Sequence, residues 1–81
     1  MKITVTMRNC VEHRDFNIEV DNKQKVATTI RVLEDNMADV MSGLLNPVRV
    51  KSYRTKRRIN LNENYEHEMI FSGDILLLNN E

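Results

Sequence analysis

The sequence predicts an α+β domain: a mixed sheet of four to five strands with one main helix packed across one face. Three observations carry that prediction. Two segments near the start alternate apolar and polar residues, as half-buried strands do. The next segment switches to helical spacing. The longest clean apolar run, Ile75 to Leu78, follows a Ser72-Gly73-Asp74 turn and reads as a buried final strand. With 81 residues and 41% hydrophobic content, residues 1–81 make a single domain, near the lower limit for an unaided core.

Lys2 to Arg8 places Ile3, Val5 and Met7 on one face and Lys2, Thr4, Thr6 and Arg8 on the other. Arg8 to Glu12 turns the chain. Arg14 to Val20 alternates again, with Phe16, Ile18 and Val20 inward and Asp15, Asn17 and Glu19 outward. So short a connection favours an antiparallel hairpin. Val26, Ile30, Leu33 and Met37 then recur as one helical stripe. Asp21 is the expected cap, with Gln24 three residues later completing a capping box. Val40, Met41 and Leu44 carry apolar contacts into a short second turn, and Gly43 and Pro47 bracket its exit. The methionines at this spacing read as core filling.

Val48 to Tyr53 predicts a third strand, with Val48 and Val50 inward and Arg49, Lys51 and Tyr53 outward. Ile59 and Leu61 predict a short fourth. Asn62-Glu63-Asn64 opens a compact loop in which Tyr65 and Ile70 are expected to cap the core. Gly73 suits a turn that needs positive φ. If the first and last strands lie side by side at the sheet centre they run parallel, the whole chain serving as crossover.

Charge and cysteine usage bound the function. All 12 Lys and Arg fall in residues 1–58 beside seven acids, whereas residues 59–81 hold five acids and no base. The densest basic run, Lys51 to Arg58, reads as a solvated hairpin partly neutralised by Glu63, Glu66 and Glu68, or as a docking patch. Cys10 is the single cysteine, so no internal disulfide forms. With no secretory signal pattern, a cytoplasmic location is expected. The Ile75 to Leu78 run falls far short of the roughly 20 residues that span a bilayer, so any membrane link is expected to come through a partner.

The sequence carries no phosphate loop, serine elbow or metal motif. His67 is flanked by Glu66 and Glu68, but adjacent residues point apart on a regular element, and His13 is distant; neither reads as a ligand. Cys10 sits in a predicted turn with Arg8 nearby and no sequence-local base, so it reads as an incidental thiol. Glu63, Glu66 and Glu68 form a polar cluster with nothing apolar to raise a carboxyl pKa. The chain reads as a non-enzyme without a cofactor.

The element order, the helix after the first hairpin and the Gly-Asp turn into an apolar strand resemble the β-grasp ubiquitin fold over the whole chain. Within it, the ending Gly73-Asp74-Ile75-Leu76-Leu77-Leu78 and the inner stretch Ile30-Arg31-Val32-Leu33-Glu34-Asp35 resemble the YukD/EsaB-type ubiquitin-like proteins of Gram-positive type VII secretion systems. The resemblance implies a non-catalytic cytoplasmic accessory that acts through protein contacts, its partner a cytosolic domain of a membrane secretion component. Asn79-Asn80-Glu81 in place of a diglycine tail leads us to expect no conjugation. The basic run from Lys51 to Arg58 is richer than the family pattern.

That pattern turns Leu76 and Leu78 inward and leaves Ile75 and Leu77 outward. Thr4, Thr6, Arg49, Lys51, Tyr53, Ile75 and Leu77 then form the expected protein-binding face, which also offers a route to a homo-oligomer. In ubiquitin this face carries an aliphatic recognition patch; Arg49 and Lys51 replace its third-strand aliphatic, so ordinary ubiquitin receptors are not expected to bind. The alternative is a β-grasp nucleic-acid-binding module using Lys51, Arg54, Lys56, Arg57 and Arg58, disfavoured by zero net charge and by Tyr53 being the run's one aromatic.

Overall fold

The alternating segments and the helical stripe become five elements in a computed structural model that describes residues 1–80. They are β1 (Lys2–Asn9), β2 (Arg14–Asp21), α1 (Val26–Asn36), β3 (Arg49–Ser52) and β4 (Ile75–Asn79). The sheet order is β2-β1-β4-β3. β1 pairs antiparallel with β2 and β3 antiparallel with β4, while the central β1–β4 pair is parallel. The sheet is therefore mixed, with the parallel crossover that a first and last strand at the centre require.

Inward residues of all four strands join the inner stripe of α1 in one core. Ile3, Val5, Met7, Val20, Val50, Leu76 and Leu78 meet Val26, Ile30 and Leu33, and Val40, Met41, Val48 and Ile59 fill the flanks. Phe16 and Ile18 are half-buried, because β2 is an edge strand and its inner face is only partly covered. Tyr65 and Ile70 do reach the core, and Tyr65 is its largest fully buried side chain. Met37 departs from the expected stripe: it is the C-cap residue, turned out of helical conformation, and its side chain is exposed.

Two local expectations are corrected. Asp21 does not cap α1. Its carboxylate accepts the Lys23 N–H at 3.0 Å and its carbonyl accepts the Gln24 N–H at 3.0 Å, which closes the turn after β2. The helix starts at Val26 without any side-chain cap. Its first N–H groups are satisfied by a distant loop instead: Val26 donates to the Glu63 carbonyl at 3.1 Å and Ala27 to the Leu61 carbonyl at 2.8 Å. The same loop explains the second correction. Ile59 and Leu61 form no strand; pairing beside β3 is limited to a single Lys51–Arg58 bridge, with the Ile59 N–H on the Val50 carbonyl at 2.8 Å. Beyond it the backbone swings away to present its carbonyls to α1. Ile59 is still buried and Leu61 packs against the core.

One buried polar residue ties the hairpin to the segment after the helix. Asn9 is fully buried, and its Nδ2 donates to the carbonyls of Val40 (3.0 Å) and Ser42 (2.7 Å). Its Oδ1 accepts the N–H groups of Val11 and Glu12, both at 3.0 Å. All four hydrogen-bonding capacities of the amide are used, which is what makes its burial tolerable.

Candidate protein-binding face

With α1 across one face, the other face of the sheet is left to the outward residues, and strand register arranges them in rows. In the central row Arg8 stands beside Asp15 on β2 and Leu77 on β4, Leu77 beside Lys51 on β3, and Lys51 beside Arg58 at the isolated bridge. On one side lie Asn17, Thr6 and Ile75, with Tyr53 following β3 and donating its N–H to the Ile75 carbonyl. On the other side Arg49 pairs with Asn79, and Cys10 follows β1.

The expected division of β4 holds in space. Leu76 and Leu78 are fully buried, while Ile75 and Leu77 are half-buried on the open face. Thr6, Arg49, Lys51, Tyr53, Ile75 and Leu77 come together there. Thr4 lies apart: β4 begins opposite Thr6, so Thr4 sits beyond the strand end, where its carbonyl accepts the Gly73 N–H at 2.7 Å. Register adds Arg8, Arg58, Cys10 and Asn79. Arg8 was legible from the alternation that put Thr4 and Thr6 outward, whereas Arg58 arrives only through the bridge to Lys51.

Electrostatics divides this face. Towards β2, Arg8 and Asp15 form a bidentate pair at 2.8 and 3.0 Å; the hydrogen bond lowers the Asp15 carboxyl and raises the Arg8 guanidinium. Towards β3, Arg49, Lys51 and Arg58 line a concavity of about 390 Å³ with Cys10, Leu77 and Asn79. None of these three bases has an acidic partner within 4.0 Å among the described residues.

The basic run does not form a continuous stripe. Arg54 turns away to Asp74, at 3.1 Å. Lys56, with φ of 64°, folds its ammonium over the Tyr53 ring at 4.1 Å, and the Arg8 guanidinium lies 5.4 Å from that ring's centroid. The expected neutralisation by Glu63, Glu66 and Glu68 is not what these acids do: Glu66 pairs with Lys23, Glu63 lies 3.8 Å from His67, and Glu68 accepts the Asn60 N–H. Among the described residues no group of three or more His, Cys, Asp or Glu is placed to hold a metal ion. Among the described residues no helix is long and apolar enough to cross a membrane.

No protein-family model matches the sequence, and no curated protein matches it either. Solved structures do resemble it. The ubiquitin of Caldiarchaeum subterraneum superposes with a TM-score of 0.74 at 17% identity, covering 100% of this chain and 95% of its own. A de novo protein designed on ubiquitin gives 0.72 at 18% identity, over 95% and 85%. The ubiquitin-like domain of an Arabidopsis thaliana protein gives 0.68 at 18% identity, over 95% and 74%. At such identities the likeness is one of fold: this is a ubiquitin-like β-grasp domain.

Proposed function

We propose that this domain is a non-catalytic adaptor that docks the open face of its sheet, centred on Leu77, Lys51 and Tyr53, onto a protein partner. The observation that carries the reading is Leu77 itself. It stands half-buried in the middle row of the open face, on the side of the sheet away from α1, with cationic side chains on both sides. An aliphatic centre with a polar rim is the anatomy of a small protein interface. The ubiquitin-like fold supports an interaction module in general.

The resemblance of the helix and of the Gly73 to Leu78 ending to the YukD/EsaB type supports the finer reading. The domain then serves type VII secretion in the cytoplasm, and its partner is a cytosolic domain of the membrane machine. The test is genetic. Deleting the gene is expected to abolish export of the small helical-hairpin substrates of such a system, with wild type restoring it and Leu77→Asp failing to. Undiminished export after deletion would remove the secretion role. Full rescue by a folded Leu77→Asp protein would remove the face.

A further inference from the structure

The geometry points to the chemistry of the partner, resting on the docking-face reading: the β3 end of the open face binds an extended acidic peptide segment that lays an aliphatic side chain on Leu77. Charge complementarity is the argument. Arg8, Arg54 and Lys23 have acidic partners in Asp15, Asp74 and Glu66, and the unmatched cations elsewhere among the described residues, such as Lys2, Arg14 and Arg31, do not line this concavity. Arg49, Lys51 and Arg58 have none among the described residues, although they border the same concavity. Like charges held together without counter-charge cost folding energy unless something outside supplies it.

The spacing selects the form of the ligand. Arg49 and Lys51 are two apart on one strand face, about 6.6–6.8 Å along the chain, the same repeat at which alternate side chains of an extended peptide project. Carboxylates at alternate positions therefore meet both bases, and Arg58, across the bridge from Lys51, extends the cationic row. Leu77, beside Lys51, gives the peptide an apolar footing. The binding is through side chains, not strand addition. The Ser52 N–H already donates to the Arg57 carbonyl and the Ile59 N–H to the Val50 carbonyl, so the adjoining segment occupies that edge of β3. A peptide fits better than a nucleic acid strand because the one aromatic ring at the site, Tyr53, already has Lys56 and Arg8 over it, leaving less for a base to stack on.

The probe is a blocked synthetic peptide of about ten residues with Glu at alternate positions and a central Leu, compared with its Gln counterpart. Binding is read by amide chemical-shift changes and by protection of Cys10, the single thiol and part of the concavity wall, from alkylation. The Glu peptide is expected to shift β3 and β4 amides and slow alkylation, and the Gln peptide to do neither. Binding should weaken about fivefold or more between about 50 and 300 mM NaCl. It should weaken about tenfold or more in Arg49→Glu/Lys51→Glu, but not in Arg31→Glu on the helix surface. Equal binding of both peptides, none of the Glu peptide at about 1 mM, or tighter binding of a single-stranded oligonucleotide of matching charge overturns the inference. Failure here with loss of export in Leu77→Asp would retire the acidic partner and leave the docking face standing. Peptide binding with full rescue of export by Leu77→Asp would keep the acidic-peptide site and retire this face as the docking surface for export.

Discussion

Arg54 and Asp74 join the loop after β3 to the turn before β4 through two hydrogen bonds, Nε to Oδ1 at 3.1 Å and Nη2 to Oδ2 at 3.2 Å. Nη2 also donates to the Met69 carbonyl at 2.9 Å, and the Phe71 N–H donates to Asp74 Oδ2 at 2.9 Å. The Asp74 carboxylate, 11% exposed, is thus the node of the Gly73 turn. Burial by itself would raise its pKa, but the hydrogen bonds from Arg54 and Phe71 and the charge of Arg54 outweigh burial and hold it below the usual carboxylate range.

A pH dependence follows from that depression. The stabilisation is present above the ordinary aspartate value and is lost as pH falls through the lower folded-state value. Asp74→Asn is expected to cost about 1–2 kcal/mol at neutral pH, and the gap to wild type should narrow as pH falls below the usual aspartate value and the carboxylate is protonated. Urea melts across that range check it; a gap that persists unchanged in acid would mean that the carboxylate charge contributes nothing.

Tyr65 carries an opposite signature. Its hydroxyl and that of Thr29 are buried without a well-formed hydrogen bond, and burial pushes the phenol pKa up, offset only in part by Thr29. Below about pH 10 the phenol is protonated in both states. Above it the unfolded chain releases the proton first, so stability falls with rising pH. Tyr65→Phe should therefore lie within about 0.5 kcal/mol of wild type, or above it, at pH 7. It should also lose less stability than wild type between pH 9 and pH 11. Identical alkaline profiles would sink the assignment.

Asn9 offers a sharper stability test. Asn9→Asp replaces the Nδ2 donor facing the Val40 and Ser42 carbonyls with an acceptor, while Asn9→Ala leaves four backbone groups without their partner. We expect a loss of at least about 2 kcal/mol for Asn9→Ala and more for Asn9→Asp at neutral pH, measured by chemical denaturation. A loss under about 0.5 kcal/mol for both would show that the amide is dispensable.

The two glycines should separate conformational strain from crowding. Both have positive φ, 78° at Gly43 and 94° at Gly73. A Cβ at Gly73 meets nothing within 4 Å, whereas at Gly43 it would stand 2.8 Å from Val11 Cγ1. Gly73→Ala should cost about 1 kcal/mol from backbone strain alone, and Gly43→Ala more, since Val11 or the turn must shift. Thermal melts that rank them the other way would contradict the placement of Val11.

Much of the fold was written in local periodicity. The alternation of Ile3, Val5 and Met7 and the stripe Val26, Ile30 and Leu33 each assign side chains to faces without reference to any other segment, because strand and helix geometry repeat at short range. The uniformly apolar run Ile75 to Leu78 carries no such alternation, and its faces were implied by the resemblance. The helix start is not legible locally, for the complementary reason. Asp21 and Gln24 have the right residue types for a cap, but the N–H groups of Val26 and Ala27 are satisfied by carbonyls some 35 residues away, which no local pattern encodes.

By itself the sequence determined the order of the five elements that form, though it also offered a strand at Ile59 and Leu61 that does not. It determined as well the inward and outward residues of β1 and β2 and the outward placement of Arg49, Lys51 and Tyr53; the placement of Leu77 was implied by the resemblance. Only the tertiary structure decided which charges are matched. Arg54 finds Asp74, Lys23 finds Glu66, and Lys56 folds over Tyr53, while Arg49, Lys51 and Arg58 gather around one concavity with no acidic partner among the described residues. Periodicity sorts residues by face, but ion pairing depends on distances of a few ångströms between segments that the chain brings together only on folding.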